Sequence, residues 1–230
     1  MKPKLAICLL LPMWLAAGGC VLGEPFVEGS ARVRVTTTLG EFVVELDEQN
    51  APLTAQNFVQ YVNDGFYNGT LFHRVVPGFV VQAGGYLPGL AEKETRAPIV
   101  SEANNGLQNV RGTVGMARLD DPDSAASQFY INLDDNAALD ATLTAPGYTV
   151  FGVVMAGMDV VDQIAAVPTE TRDGFEDVPV EDVVILSTVV EPGERVLSPE
   201  WDAYLQGYQY NALSILRQFV VDGLGRAFGG

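Results

Sequence analysis

The sequence is poor in histidine, cysteine and basic residues, and each shortage narrows the functions that it can support. A single histidine in 230 residues excludes catalytic or metal sites that need several imidazoles. Thirteen Lys and Arg against 29 Asp and Glu give a formal charge of −16, which argues against nucleic acid or an anionic membrane surface as partners. The apolar fraction of 48% suits a globular chain with a full core.

The N-terminus has the form of an export signal. Lys2 and Lys4 precede an apolar run over 5–17, which is too short to span a bilayer. Small residues at 16–19 then lead into Cys20. We therefore expect a signal peptide over residues 1–19 that is not part of the fold.

Cys20 follows the signal in a way that resembles the bacterial lipobox, in which the cysteine is lipidated and becomes the first mature residue. The alternative is ordinary cleavage that leaves Cys20 as a free thiol. Because Cys8 leaves with the signal, no internal disulfide can form in the mature chain. Lipidation would anchor the protein on the periplasmic side of the bacterial envelope, and Val21 favours the outer membrane. A linker over 20–31 would hold the domain close to that membrane.

Hydrophobic periodicity predicts the first elements of a domain. Alternating residues over 33–35 and 41–46 predict a hairpin, and Pro52 begins a predicted helix that runs to about Asp64. Phe58, Val59 and Val62 form an apolar stripe on that helix, which we interpret as core.

The end of the domain follows the same patterns. A second helix is predicted over 157–164, with Val160, Val161 and Ile164 facing inward, and a closing strand over 183–190. The acidic residues between 120 and 135 lack the glycine and closing glutamate of a helix-loop-helix calcium site, so we interpret them as a solvated loop.

The most informative stretch is residues 72–85, where two apolar runs flank Pro77 and Gly78 and predict a strand, a tight turn and a second strand. Arg74 stands among aromatic and branched residues, with no acid near it in sequence. It could be the fixed donor of an apolar ligand pocket. It could also pack its stem on the sheet while its charged end reaches water. Spacing alone leaves both interpretations open.

The same stretch belongs to a wider resemblance. Several stretches occur in the same order as the characteristic stretches of one protein family. They are FHRVVPGF with the later Gln82, EANNGL over 102–107, RGTVGMAR over 111–118, DSAASQFYIN over 123–132 and GYTVFG over 147–152. Over residues 32–191 the chain resembles the short bacterial branch of the cyclophilin-type peptidyl-prolyl cis-trans isomerases.

This resemblance implies a fold and an activity. The fold would be mainly β, a closed eight-stranded antiparallel barrel capped by two helices, followed by a C-terminal helical extension over 192–230. The activity would be rotation of X-Pro bonds in exported proteins, with proline-containing polypeptides as partners and without a cofactor or metal.

The resemblance also carries functional positions onto this chain. Arg74 would be the catalytic arginine, with Phe79 and Gln82 beside it. The remaining positions would contact the substrate, directly or from behind Gln82: Val80, Ala117, Arg118, Gln128, Tyr130, Leu139 and Tyr148. The lone histidine, His73, is not the catalytic position in the family, and prolyl isomerisation transfers no proton, so we interpret it as structural.

Several positions depart from the family's commonest residues. Val80 stands where Met is usual and Tyr130 where Phe is usual. Ala138 and Tyr148 stand where many eukaryotic members have Trp and His. Because the Trp is absent, the resemblance does not predict whether cyclosporin binds. Residues 141–146 look like a lengthened loop near the rim of the pocket.

The family pattern stops at Glu191. Ser198 and Pro199 look like a helix start, and apolar residues recur at helical spacing as far as Val220. This stripe over 198–222 predicts docking on the domain, self-association or contact with a partner. Two alternatives to the enzyme therefore remain: a non-catalytic Pro-peptide binding module, and a structural lipoprotein that works mainly through this tail.

Overall fold

The computed structural model describes residues 31–191. The predicted signal peptide, Cys20 with the linker to residue 30, and the predicted extension over 192–230 lie outside this range. No helix within 31–191 is both long and apolar enough to cross a membrane.

The described chain forms one curled antiparallel sheet, two α-helices and two small hairpins. The strands are β1 (Arg32–Thr37), β2 (Gly40–Leu46), β3 (Phe72–Val76), β4 (Val80–Ala83), β5 (Tyr86–Leu87), β6 (Ala91–Glu92), β7 (Thr113–Met116), β8 (Phe129–Asn132), β9 (Val150–Ala156), β10 (Thr169–Arg172), β11 (Phe175–Pro179) and β12 (Ile185–Glu191). The α-helices are α1 (Pro52–Asn63) and α2 (Met158–Ala165), and 3₁₀ helices cover Ala103–Asn105, Pro122–Ser124 and Ala137–Leu139.

The predicted strands and helices are confirmed within a residue or two. In the first hairpin Val33 lies opposite Val44, and Val35 opposite Phe42, so alternate residues face the core. On α1, Phe58 and Val62 are buried, which confirms that its stripe is core. On α2, Val161 and Ile164 are completely buried.

The core is formed by buried residues of the curled sheet together with those of both α-helices. Its centre is aromatic: the Phe58 ring of α1 lies 5.3 Å from Phe129 and 5.2 Å from Phe151, centroid to centroid. Tyr67 and Phe72 are also fully buried there. Such contacts stabilise a core beyond simple burial of area.

The prediction of a closed barrel was wrong. The strand order is β12-β1-β2-β9-β7-β8-β4-β3, and the two edge strands meet only through an isolated bridge between Leu71 and Val184. Backbone bonds flank this bridge, including Phe72 N–H to the Val183 carbonyl at 2.9 Å. The bonded residues are 69–72 and 183–185, so each edge strand contributes only its first residue. The two antiparallel strands run away from each other beyond this point. The sheet is therefore a curled half-barrel with a short seam.

At the opposite end of β12, Glu191 lies directly opposite Arg32 of β1. The chain therefore enters and leaves the sheet at one place.

The start of α1 depends on a side chain distant in sequence. Ala51, the N-cap residue, offers no side-chain acceptor to the first turn. The Glu102 carboxylate replaces it, accepting the backbone N–H of Leu53 at 3.0 Å and of Thr54 at 2.8 Å, together with the Thr54 hydroxyl at 2.7 Å. Glu102 thus ties the loop before β7 to the helix and satisfies two otherwise unpaired donors.

His73 is buried in β3, where its ring packs 4.6 Å from the ring of Tyr86. Its Nδ1 has no hydrogen-bond partner among residues 31–191. Burial lowers the pKa of His73 to about 4, so the imidazole is neutral at ordinary pH. These observations fit a structural histidine.

We expect Glu102→Ala to lower the free energy of unfolding by about 1–2 kcal/mol, because two helix N–H groups lose their acceptor. Urea denaturation followed by circular dichroism would measure this. Glu94→Ala is the matched control, since Glu94 is exposed and forms no hydrogen bond among residues 31–191. Equal stability of the two variants would contradict this role for Glu102.

We also expect His73 to make stability depend on pH. The folded pKa is about 4 and the ordinary value is 6.5, so the unfolded chain binds a proton that the folded chain excludes. Stability from this source is complete above the unfolded pKa, and falls by about 3 kcal/mol as the pH drops towards the folded pKa. Denaturation at several pH values would show a smaller acid loss in His73→Phe, which keeps a ring and cannot titrate. Parallel pH curves for the two proteins would exclude this effect.

Candidate active site

A one-residue bulge in β3 determines where Arg74 points. Phe72 pairs with Ala83 of β4, yet Arg74, two residues on, pairs with Gln82, only one residue back. His73 is the extra residue. Because side chains alternate across a strand, the bulge changes the face on which Arg74 lies. Bulges of this kind re-aim side chains next to functional sites.

The register continues across the sheet. Gln82 of β4 lies opposite Tyr130 of β8. Arg74, Gln82 and Tyr130 therefore form one row across three neighbouring strands, and residues opposite each other in a sheet share a face.

This row forms the floor of a cavity of about 260 Å³. The other walls come from the turn after β3, the segment after β7, the third 3₁₀ helix and the segment before β9. The lining residues are Arg74, Phe79, Val80, Gln82, Ala117, Arg118, Tyr130, Leu139 and Tyr148. The structure thus brings together nine of the ten pocket positions predicted from the sequence. The tenth, Gln128, lies in an adjoining cavity, and the functional role of each position remains a prediction.

The Arg74 guanidinium has N–H groups that no acceptor in the described protein uses. Its Cζ lies 5.8 Å from the centroid of the Phe79 ring, and its side chain is 38% exposed. It is the one arginine within 31–191 whose guanidinium donates no hydrogen bond to the protein. The acid nearest to it is Asp177, which is distant in sequence. The Asp177 Oδ2 lies 3.9 Å from the Arg74 Nε. A fork of five N–H donors is therefore available to a ligand.

Gln82 is held by its neighbour. Its Nε2 donates to the Gln128 Oε1 at 2.9 Å, which leaves the Gln82 carbonyl oxygen and its second N–H available. Gly85 makes room for Gln128, since a Cβ at Gly85 would lie 2.7 Å from the Gln128 side chain. The predicted place of Gln128 behind Gln82 agrees with this geometry.

Tyr130 forms an apolar wall whose polar end is satisfied outside the cavity. Its hydroxyl donates to the Asn109 Oδ1 at 2.6 Å. Asn109 is fixed in turn by Asp140, whose Oδ1 accepts the Asn109 N–H at 2.7 Å and its Nδ2 at 3.0 Å. Burial raises the pKa of Tyr130 far above its usual value, so the phenol is neutral. Gly115 permits this placement, because a Cβ there would lie 2.2 Å from the Tyr130 ring.

The rim of the cavity is braced by Arg118. Its Nε donates to the Gly147 carbonyl at 3.0 Å, and its Cζ lies 4.5 Å from the centroid of the Tyr148 ring. The Ala117 N–H already donates to the Gln128 carbonyl at 2.9 Å. The only backbone group of Ala117 left for a bound peptide is therefore the Ala117 carbonyl, which can accept a hydrogen bond from the peptide.

A second cavity of about 630 Å³ adjoins the first and shares Arg74, Gln82, Ala117 and Arg118 with it. Part of its wall comes from Gly174, Phe175 and Glu176, which lie on the hairpin of β10 and β11. Sequence reasoning missed this hairpin and this cavity. The available clue was Asp173-Gly174, since Asp-Gly between extended runs is a strong hairpin signal.

Chemically, the small cavity joins an apolar slot to an unsatisfied cation and a fixed amide. It can hold a small apolar ring while donating hydrogen bonds to a polar group beside it. Among residues 31–191, no group of three or more His, Cys, Asp or Glu is arranged to hold a metal ion.

Comparison with known proteins agrees with this geometry. Residues 32–190 match the family model described as cyclophilin type peptidyl-prolyl cis-trans isomerase/CLD. A peptidyl-prolyl cis-trans isomerase of Acinetobacter baylyi is 52% identical over 159 residues, which are 69% of this chain and 85% of that protein. Peptidyl-prolyl cis-trans isomerase A of Dickeya dadantii is 50% identical over 161 residues, or 70% of this chain and 85% of that protein.

A solved structure shares the fold. The cyclophilin type isomerase of Cryptosporidium parvum, determined in the presence of the dipeptide Ala-Pro, superposes with a TM-score of 0.62 at 24% identity. The match covers 70% of this chain and 99% of that one. The family model matches most of the chain, and about half of the aligned residues are identical in these relatives. This chain therefore belongs to the cyclophilin-type peptidyl-prolyl cis-trans isomerases.

Proposed function

We propose that this isomerase turns X-Pro bonds of exported proteins in the small cavity, with Arg74 as the catalytic residue. The observation that carries this assignment is the Arg74 guanidinium, which lies beside the Phe79 ring with no hydrogen bond to the protein. Such a donor is positioned for a ligand rather than for the fold.

The chemistry needs a donor of this kind. An X-Pro bond has partial double-bond character, with a barrier of roughly 18–20 kcal/mol. Twisting it breaks the amide resonance, so the proline nitrogen becomes pyramidal and regains a lone pair. A donor aimed at that nitrogen binds the twisted state better than either planar state, and only such differential binding accelerates the reaction.

Arg74 suits this role because its side chain stays charged at any working pH. No proton is transferred, so the buried, neutral His73 next to it takes no part in the chemistry. The apolar walls of Phe79, Val80, Tyr130 and Leu139 would hold the proline ring while the preceding carbonyl rotates. Gln82, fixed by Gln128, would bind the substrate backbone.

Magnitudes show that Arg74 cannot act alone. An acceleration of about 10⁵-fold requires roughly 7 kcal/mol. One hydrogen bond from a charged group supplies about 1.5–3 kcal/mol net. The rest must come from positioning the ring and excluding water, which the cavity walls provide.

We expect Arg74→Ala to reduce kcat/KM for a Pro-containing peptide by more than about tenfold, because the twisted bond loses the hydrogen-bond donor that stabilises it. A protease-coupled assay would measure turnover, with circular dichroism to confirm the fold. Arg34→Ala is the control, since Arg34 is similarly exposed at 41% but pairs with Glu41 and Glu191 far from the cavity. Unchanged turnover in Arg74→Ala would remove Arg74 from the mechanism.

Export and anchoring form a second part of the proposal. It is supported by the basic start, the apolar run over 5–17 and the small residues before Cys20. A lipid on Cys20 would place the isomerase at the periplasmic side of the envelope, where newly exported chains fold. The stripe over 198–222 would then contact the domain, a second copy or a partner.

We expect Cys20→Ser to move the protein from the membrane fraction to the soluble fraction, because acyl chains provide the anchor. Fractionation of cells that express each form, with mass spectrometry of the mature N-terminus, would measure this. A Cys20→Ser protein that stays with the membrane would show that the anchor lies elsewhere.

A further inference from the structure

The hairpin of β10 and β11 packs along β3, the strand that carries Arg74. Its two-residue turn is Asp173-Gly174, with φ of 51° and 87°, which matches the left-handed turn that suits a tight hairpin. The hairpin thus forms a wall beside the catalytic cavity that the main sheet does not supply.

Phe175 and Val178 hold the hairpin against its neighbours, and Arg172 braces it internally and to the segment that follows. The Phe175 ring packs edge-on against Tyr86 at 5.2 Å, centroid to centroid. Val178 is buried with Leu71 in a small apolar cluster. Arg172 bonds to the Asp182 carboxylate at 2.8 Å and to the Pro179 carbonyl at 2.6 Å. A side chain on this hairpin therefore occupies a defined place relative to β3.

Asp177 lies at an irregularity of β11. Val178 pairs with Glu170 and Phe175 with Arg172, so two residues of β11, Glu176 and Asp177, stand opposite one residue of β10. Asp177 has φ of 59°, a left-handed conformation that is uncommon outside glycine. Strain of this kind persists where the surrounding structure imposes it, and it often accompanies functional sites.

The bulge brings the Asp177 carboxylate towards Arg74, with Oδ2 3.9 Å from Nε. Arg74 is a long side chain with no hydrogen bond to restrain it, and ordering it in each catalytic cycle has an entropic cost. A carboxylate on the Nε side favours the orientation in which the terminal amino groups remain available for substrate.

We propose that Asp177 is a positioning residue that orients the Arg74 guanidinium for catalysis. The inference rests on the role of Arg74 proposed above. Because both side chains are partly exposed, at 38% and 42%, solvent screening limits the size of the effect.

The decisive variant is Asp177→Asn, which keeps the size of the side chain and tolerates left-handed backbone. We expect it to lower kcat/KM by about two- to fivefold, with an unchanged melting temperature. Asp173→Asn is the matched control: it is the same substitution at another left-handed position of the same hairpin, but Asp173 is exposed and forms no ion pair among residues 31–191. Asp177→Glu should recover part of the loss.

Two further measurements separate positioning from a purely structural effect. Raising the salt from about 0.05 M to about 1 M should bring wild type towards Asp177→Asn, because salt screens a partly exposed pair. Nitrogen-15 relaxation of the Arg74 Nε should show greater motion in Asp177→Asn and not in Asp173→Asn.

The proposal is overturned if Asp177→Asn is as fast as wild type or faster, if Arg74 is equally ordered in both variants, or if Asp177→Asn lowers activity further when Arg74 is already Ala. Wild-type turnover in Arg74→Ala alone would instead refute the assigned role of Arg74, so the two failures are distinguishable.

Discussion

The site depends on one extra residue in β3. Because His73 bulges out of the pairing with β4, Arg74 comes into line with Gln82 and Tyr130 and faces the cavity. A regular strand would pair residue 73 with Gln82 and turn Arg74 to the other face. The bulged residue is itself buried and neutral, so it holds the backbone without adding a charge beside the guanidinium. The bulge that interrupts the pairing of β3 with β4 is thus what places the Arg74 guanidinium at the cavity.

The Tyr130 wall of the cavity is apolar because the hydroxyl of Tyr130 is bonded outside the cavity. Tyr130 presents its ring to the slot, while its hydroxyl is taken up by Asn109, which Asp140 holds. Gln128 likewise fixes Gln82 without entering the smaller cavity. Buried polar groups that are left unpaired would destabilise the fold, so these bonds stabilise the domain and preorganise the site together. The exceptions are the Arg74 guanidinium, which donates no hydrogen bond to the protein, and the free carbonyl oxygen and N–H of Gln82.

Local patterns in the sequence were sufficient for most elements. Alternation gave the first hairpin, Pro52 the start of α1, and the family motif the residues of the pocket. Long-range geometry was not accessible in this way. The seam at Leu71 and Val184 depends on where two distant strands diverge, and the bulge at His73 depends on pairing with β4. Neither feature produces a periodic pattern of hydrophobic residues in the sequence. The Glu102 cap of α1 joins residues about fifty positions apart. The β10–β11 hairpin is different, because the dipeptide Asp173-Gly174 is a local signal from which this hairpin could have been predicted.

The pairing of Arg32 with Glu191 has a mechanical consequence. In the antiparallel ladder of β1 and β12, both chain ends leave from the same end of the ladder. A force applied between an anchored N-terminus and a load on the C-terminal side would therefore unzip this ladder one pair at a time, instead of shearing all of its hydrogen bonds at once. Tension between the two tails would peel apart β1 and β12 first, while the row of β3, β4 and β8 that carries the cavity lies at the other end of the strand order.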